Sequence, residues 1–322
     1  MHMIAKVLAA AALAIPAAPV LAQDYPVREI RSICNFAAGS GADIIVRYYS
    51  DRLSKLAGKP VLVENKPGVQ GTLASDYVAK SKPDGYTLMI TPASSTLATA
   101  PYIFKKLPFD PLKDFAPVTS VASLSFVLAV DAAGPIRSID DLVKSLKAKP
   151  NHGFYGTGSN TGQVAAELFK VRAGLETTYV PFKATVGALA AVLSGEVDFL
   201  SYDATWAVTQ REPSGRLRIL AVTSAKRAGA LPDVPTLSEL GMGEFDIAPW
   251  FGVVVPAGTP RPIVERLAGW FNQITNSDDA KQFLARAAFD AFPGSPEQMA
   301  ALLKTETERW ARWVKLAKIE PQ

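Results

Sequence analysis

The feature that most constrains the fold is a repeated local order of short apolar strand, loop of small polar residues and amphipathic helix. In the first example, an apolar run at 30–36 leads into a loop at 37–43 and then into a helical stripe that Gly58 ends. The same order recurs after later strands, which are predicted at 61–63, 86–90, 152–155, 179–180 and 197–201. Strands that alternate with helices form parallel βαβ units with right-handed crossovers. The sequence therefore predicts an α/β protein.

The chain is long enough, at 322 residues, to form two globular lobes. The strand predicted at 250–255 and the helices from Pro260 onward have no parallel partners of their own, so we expect them to return to the first lobe. The chain then crosses between the lobes twice, near 123–126 and 224–249, which allows a hinge. Each lobe is expected to hold a mostly parallel sheet flanked by helices. The predicted boundaries are 23–124 with 225–322 for lobe 1, and 125–224 for lobe 2.

Composition excludes several classes of function. Lys and Arg number 34 against 30 Asp and Glu, with no basic run longer than two, so we expect no nucleic-acid partner. The single cysteine, Cys34, permits no intrachain disulfide and no cysteine-based zinc site, and we expect it to be buried in the first strand. The two histidines, His2 and His152, leave at most one imidazole for a metal site or a catalytic triad. We therefore predict no metal, no cofactor and no catalytic residue.

Residues 1–22 have the order of a cleavable secretory signal. Lys6 precedes an apolar run at 7–15, and Val20 to Ala22 supply the residues of a cleavage point before Gln23. The alternative is a buried N-terminal helix. No later stretch approaches the roughly 18 consecutive apolar residues of a membrane span. We expect an exported protein.

The predicted ligand contacts lie in the loops that follow the strands, because ligands of open α/β sheets bind at the carboxyl ends of strands, against helix N-termini. Glycines in these loops let the backbone approach a ligand closely, and hydroxyl groups supply donors and acceptors. In lobe 1 the predicted contacts are Phe36, Gly39, Ser40, Gly41, Asp43, Ser94 and Ser95. In lobe 2 they are Tyr155, Gly156, Thr157, Gly158, Ser159, Phe182, Thr185, Asp203 and Trp206. The alternative for each loop is a tight turn with a helix cap.

The two acidic residues and one aromatic residue among these contacts have separate interpretations. Asp43 is favoured in a first helical turn by the helix dipole, and it could also orient the loop or a bound water. Asp203 is the stronger candidate for contacting the ligand, and Trp206 could form a wall of the site. The two carboxylates could also act as acid and base, but nothing in the sequence raises the pKa of one against the other.

Nucleotide binding and serine chemistry are not favoured. Gly156 and Gly158 follow a strand, but Gly162 is at the wrong spacing for a dinucleotide-binding loop, and Glu176 precedes the second strand instead of ending it. The chain has no Walker motif and no G-x-S-x-G elbow. His152 is therefore interpreted as a surface or capping residue.

Several motifs identify a resemblance. The chain from Gln23 onward resembles the substrate-binding proteins of tripartite tricarboxylate transporters, the Bug-type periplasmic receptors. The stretches that carry it are 25–26, 30–31, 63–68, 82–86, 107–111, 114–118, 221–224, 231–236, 250–252 and 256–260. The resemblance implies a two-lobed Venus-flytrap receptor that binds a carboxylated ligand in its cleft and delivers it to a membrane permease.

The site loops depart from the family pattern in a few places. The family's Pro-Phe-x-x-Gly-Gly-x-x-Asp loop corresponds to 35–43, with Asn35 and Ser40 replacing a proline and a glycine. The loop after Tyr155 is about two residues shorter than in relatives, and Gln163 stands where relatives have a histidine. Asp203 matches the family's acidic loop position. The resemblance therefore implies that the backbone groups of these loops still bind a carboxylate.

We predict a monomeric periplasmic protein that captures a small organic carboxylate by closing its lobes. The absence of arginine from the predicted loops argues against a tricarboxylate, which would need bidentate partners, and the aromatic residues favour an aromatic or less charged acid. Two alternatives remain at this point. One is a secreted hydrolase or lyase on the same scaffold that uses Asp203 or His152, and the other is a sensor subunit that presents its closed form to a membrane kinase.

Overall fold

The computed structural model describes residues 25–68, 71–149, 153–182, 185–211 and 215–321. The strands are β1 (Ile30–Cys34), β2 (Val61–Asn65), β3 (Thr87–Thr91), β4 (Phe115–Ser123), β5 (Phe126–Asp131), β6 (Phe154–Thr157), β7 (Thr178–Pro181), β8 (Phe199–Asp203), β9 (Leu217–Val222), β10 (Trp250–Pro256) and β11 (Asp290–Ala291). The helices are α1 (Gly41–Ala57), α2 (Thr72–Ala79), α3 (Ala100–Ile103), α4 (Ile139–Lys147), α5 (Asn160–Ala173), α6 (Thr185–Ser194), α7 (Ala204–Ala207), α8 (Arg261–Asn276), α9 (Asp278–Arg286) and α10 (Pro296–Leu316). A π-helical turn (Ser94–Ala98) and a 3-10 turn (Val208–Gln210) complete the described elements.

The strands form two sheets, which confirms the α/β prediction. The first sheet has the order β11-β4-β10-β3-β1-β2, and the second has the order β7-β6-β8-β5-β9. In the first sheet, β1 is parallel to β2 and β3, whereas β10 is antiparallel to both β3 and β4. In the second sheet, β6 is parallel to β7 and β8, whereas β5 is antiparallel to both β8 and β9.

Both sheets are mixed, whereas the sequence predicted mostly parallel sheets. The antiparallel strands β5 and β10 occupy equivalent places in the chain. Each is the first strand after the chain crosses from one sheet to the other. No crossover helix precedes them, so the right-handed βαβ rule does not set their direction. The strands that helices connect in the expected way are parallel where they pair with one another: β1 with β2 and β3, and β6 with β7 and β8.

The C-terminal helix α10 joins the two sheets. It packs against β4 and the π-helical turn on one side and against α5 on the other. The Gln163 amide on α5 donates a hydrogen bond of 2.8 Å to the carbonyl of Ala317, just after α10. A single hydrophobic cluster accordingly contains Met89 of the first sheet, Phe199 of the second and Trp310 of the helix.

Cys34 ends β1 and is buried, as the sequence predicted. Within the described residues, no helix is both long enough and apolar enough to cross a bilayer. The proposed secretory signal at 1–22 lies outside the described residues.

Candidate ligand-binding site

A cavity of about 590 Å³ lies between loops from the two sheets. Its walls come from the carboxyl ends of β1, β2, β3 and β6, which is the edge where ligands of open α/β sheets bind. The residues that line it are Asn35, Phe36, Ala37, Pro67, Gly68, Gly71, Ser95, Thr96, Thr99, Ile103, Gly158, Ser159, Asn160, Thr161 and Trp310. The loops that contain Gly39 and Gly158 thus contribute to one shared hollow.

The loop after β1 is held by the buried carboxylate of Asp43. One oxygen accepts from the backbone N–H of Gly39 at 2.8 Å and from Nε of Arg47 at 2.8 Å. The other accepts from the amide of Asn65 at 2.7 Å. Gly39 has a φ of +81°, a conformation that favours glycine, and Ser40 caps α1 by accepting from the N–H of Asp43 at 3.2 Å. The carboxylate therefore orients the loop, which is one of the roles that the sequence allowed.

Electrostatics keep Asp43 charged. Its burial favours the neutral form, but the hydrogen bonds from Arg47, Asn65 and Gly39 outweigh this effect and lower its pKa to about 2. This carboxylate is not poised to exchange protons near neutral pH.

We expect Asp43→Asn to destabilise the protein by about 2 kcal/mol at pH 7, because a buried carboxylate loses its charge-assisted bonds and one oxygen becomes an N–H that faces a donor. Because the pKa of Asp43 is depressed, wild type should lose this stabilisation as the pH falls from about 4 towards 2. Urea unfolding at pH 7 measures the difference. Asp51→Asn is the matched control, since Asp51 lies on the same helix and its side chain is 53% exposed. Equal losses in the two variants would contradict the role assigned to Asp43.

A buried polar cluster behind the loop was not among the predicted contacts. The amide of Asn35 donates to Oγ1 of Thr96 at 3.1 Å, and its carbonyl oxygen accepts from Oγ1 of Thr91 at 3.1 Å. The two threonine hydroxyls are 3.0 Å apart. Asn35 and Thr96 both line the cavity, so this network fixes its floor. The position of Asn35 directly after β1 was the available sequence signal.

The second sheet contributes the loop from Thr157 to the first turn of α5. Ser159 caps the helix by accepting from the N–H of Gly162 at 3.1 Å. A Cβ at Gly158 would lie 2.8 Å from the carbonyl oxygen of Phe182 and 2.9 Å from the hydroxyl of Tyr202, so only glycine fits without a shift of the backbone. Asn160 and Thr161 begin α5, where backbone N–H groups have no partner within the helix.

Four of the predicted contacts line the cavity: Phe36, Ser95, Gly158 and Ser159. Others support it from behind. The Ser94 hydroxyl accepts from the N–H of Trp250 at 3.1 Å, and the Tyr155 hydroxyl donates to Glu167 at 2.7 Å from a fully buried ring. Thr157 is fully buried, with its hydroxyl 3.4 Å from the N–H of Ser159.

The remaining predicted contacts lie beside these loops, outside the described lining of the cavity. Asp203 caps α7, accepting from the N–H of Trp206 at 2.9 Å and from the hydroxyl of Thr205. Trp206 packs against Tyr202 with ring centroids 4.9 Å apart. Gly156 faces the ring of Phe182, and Gly41 begins α1. The side chain of Thr185 and all of His152 lie outside the described residues.

The part of the cavity lining that the structure describes is uncharged. It contains hydroxyls, amides, apolar side chains and backbone, but no Asp, Glu, Lys, Arg or His. No group of three or more His, Cys, Asp or Glu that could hold a metal ion occurs among the residues that the structure describes. This arrangement suits binding by backbone N–H groups and hydroxyls.

Comparison with known proteins identifies the family. A model of the tripartite tricarboxylate transporter family receptor matches residues 45–319. The chain belongs to this family. The protein BugT of Bordetella pertussis is 32% identical to this receptor over 301 residues, which cover 92% of the chain and 91% of BugT.

Solved structures agree with the family match. Rpa4515 of R. palustris with adipate has a TM-score of 0.76 and 32% identity, covering 93% of this chain and 100% of that one. The periplasmic binding protein BugD has a TM-score of 0.71 and 27% identity, covering 92% of this chain and 100% of that one. These findings confirm the predicted two-lobed fold of the periplasmic binding proteins and the prediction of a solute-binding receptor.

Proposed function

We propose that this receptor captures a small organic carboxylate in the cavity between its lobes and delivers it to the membrane permease subunits of a tripartite transporter. The observation that carries the proposal is a cavity with walls from both sheets, with an uncharged lining among the described residues and with the first turn of α5 at its edge. The backbone N–H groups of Asn160 and Thr161, together with the helix dipole, suit a carboxylate. The relative Rpa4515, whose structure holds adipate, supports the ligand class.

We further propose that the lobes have the boundaries predicted from the sequence and close about the two crossings, between β4 and β5 and between β9 and β10. The receptor acts in the periplasm as a monomer, after removal of the signal at 1–22. It binds its ligand without turnover, so a bound acid should be recovered unchanged and in stoichiometric amount.

Isothermal titration with a panel of mono-, di- and tricarboxylates and aromatic acids tests the proposal. At least one acid should bind with a dissociation constant around micromolar or tighter, which corresponds to about −8 kcal/mol. Ser95→Trp should weaken that binding at least about tenfold, because the exposed Ser95 lines the cavity and an indole there would fill it. Thr305→Trp, at an exposed position on α10, is the control and should bind normally. A panel with no binding acid would refute the proposed function.

A further inference from the structure

The polar side chains that line the cavity differ between the two sheets in whether they already have a partner. On the side of the first sheet, the Ser95 hydroxyl donates to the carbonyl of Pro92 at 3.1 Å, and the Thr99 hydroxyl donates to that of Ser94 at 2.7 Å. The other two polar side chains of the lining on this side belong to the buried polar cluster described above. The first sheet therefore presents polar side chains that are already bonded within the protein.

Thr161, on the side of the second sheet, lines the cavity with a polar side chain that has no such partner. The residue is 8% exposed, and its hydroxyl forms no hydrogen bond within the part of the chain that the structure describes. The side-chain atoms that are both inaccessible and unpaired belong to eight other described residues, so the Thr161 hydroxyl retains accessible surface. A nearly buried hydroxyl that is unpaired and open to a cavity is suited to bonding a ligand.

The position of Thr161 in α5 places its hydroxyl beside free backbone donors. Thr161 is the second residue of the helix, and Ser159, the cap, accepts only from the N–H of Gly162, at 3.1 Å. The N–H groups of Asn160 and Thr161 therefore remain free, as is usual in a first helical turn. Side chains of a helix tilt towards its N-terminus, so the Thr161 hydroxyl lies on the same side as these two N–H groups. Three donors thus face the same end of the helix.

The absence of charge from the described lining makes these donors important. An ionised group that is taken out of water needs a charged partner or several hydrogen bonds. The described lining holds no cation, so hydrogen bonds must supply this stabilisation there. Hydrogen bonds to a charged acceptor are stronger than those between neutral groups, and a carboxylate can accept several at once.

We propose that Thr161 is a ligand-binding residue whose hydroxyl donates to the ligand carboxylate, beside the backbone N–H groups of Asn160 and Thr161. The carboxylate is then held by the second sheet's side of the cavity. The rest of the ligand faces the first sheet, where Phe36, Ala37 and Ile103 provide apolar surface. This assignment rests on the proposed function above and deepens it, because it fixes the orientation of the ligand.

Thr161→Val tests the assignment by isothermal titration with acetate, hexanoate, benzoate, adipate and citrate. Valine keeps the branched shape of threonine but removes the hydroxyl. Each acid that binds the wild-type protein should bind the variant about ten- to a hundredfold more weakly, as expected for the loss of one hydrogen bond to a charged group. The factor should be similar for all acids that bind, because they share the carboxylate. Thr161→Ser keeps the hydroxyl and should retain most of the affinity.

Thr307→Val is the matched control. Thr307 on α10 is 7% exposed, its hydroxyl donates to the carbonyl of Leu303 at 2.7 Å, and it is not part of the described cavity lining. This variant should unfold at a lower urea concentration than wild type and bind the acids normally. Thr161→Val should show the opposite result, with weaker binding but wild-type stability, because its hydroxyl has no partner in the free protein.

The possible outcomes separate this assignment from the proposed function. If Thr161→Val binds the acids as tightly as wild type, or weakens them by very different factors, the assignment is wrong while the proposed function stands. The same holds if Thr161→Val unfolds at a lower urea concentration than wild type, since its hydroxyl would then have a partner in the protein. If neither these acids nor the wider panel bind the wild-type protein, both are wrong. Thr161→Ala removes the same hydroxyl and should give the same loss of affinity if Thr161→Val does not fold.

Discussion

Replacing Gly162 with alanine should destabilise the protein by about 3 kcal/mol and deform the cavity, because the added methyl group has no space. Gly162 is buried in the first turn of α5. A Cβ there would overlap Oγ1 of Thr157 on β6 and would lie 2.6 Å from the carbonyl oxygen of Ser201 on β8. Either α5 moves away from the sheet or the loop after β6 shifts, and both elements form the edge of the cavity. Ligand binding should weaken along with stability.

Gly269→Ala is the matched control for this substitution. Gly269 is an exposed glycine within α8, and a Cβ there meets nothing within 4 Å. Alanine at that position should stabilise the protein by about 0.5 to 1 kcal/mol, because glycine is the poorer helix former. Urea unfolding of both variants measures the contrast. A Gly162→Ala protein as stable as wild type would show that α5 does not need this close approach.

The structural role of Gly162 could not be predicted from the sequence. Its spacing from Gly156 and Gly158 excluded a dinucleotide-binding loop, but it did not indicate why a glycine stands there. The reason is an approach to Ser201, a residue on a different strand far along the chain. Repeated strand, loop and helix patterns are local and were enough to predict the α/β fold. Close contacts between distant segments are not encoded in local spacing.

The difference between local patterns and contacts of distant segments also explains which site residues could be predicted. The loops after β1 and β6 do border the cavity, because the end of a parallel strand fixes where its loop lies. The sequence also indicated hydroxyls and carboxylates in those loops, but it did not indicate which of them form hydrogen bonds with nearby backbone groups. Ser40, Ser159 and Asp203 cap helices, so their side chains already have partners. Trp310, from the opposite end of the chain, had no local signal for a place in the cavity wall.

A second cavity of about 490 Å³ lies beside the two crossings between the sheets, and the buried carboxyl group of Glu306 is part of its lining. Glu306 on α10 is 7% exposed and accepts from Nη1 of Arg309 at 3.1 Å. Arg309 also pairs with Asp246, at 3.5 Å. The charged residues that line this cavity are Lys226, Arg227, Asp246, Asp290, Glu306 and Arg309.

The pKa of Glu306 is raised from 4.5 to about 7. Burial is the main cause, since it penalises the charged form. Asp246 raises the pKa further, whereas the charge and hydrogen bond of Arg309 oppose both effects. A carboxyl group with a raised pKa binds its proton more tightly in the folded protein than in the unfolded chain. Its contribution to the free energy of unfolding is therefore largest below about pH 4.5 and is lost as the pH rises to about 7.

Glu306→Gln should remove this loss, because glutamine has a similar shape and stays neutral at every pH. We expect the variant to be more stable than wild type by about 3 kcal/mol at pH 8 and by only about 1 kcal/mol at pH 5, since each unit of pKa difference corresponds to about 1.4 kcal/mol. Glu308→Gln, at an exposed position on the same helix, should change stability by less than about 0.5 kcal/mol at both pH values. Urea unfolding at pH 5 and pH 8 measures all three proteins. If the gain of Glu306→Gln is the same at both pH values, its carboxyl does not titrate in this range.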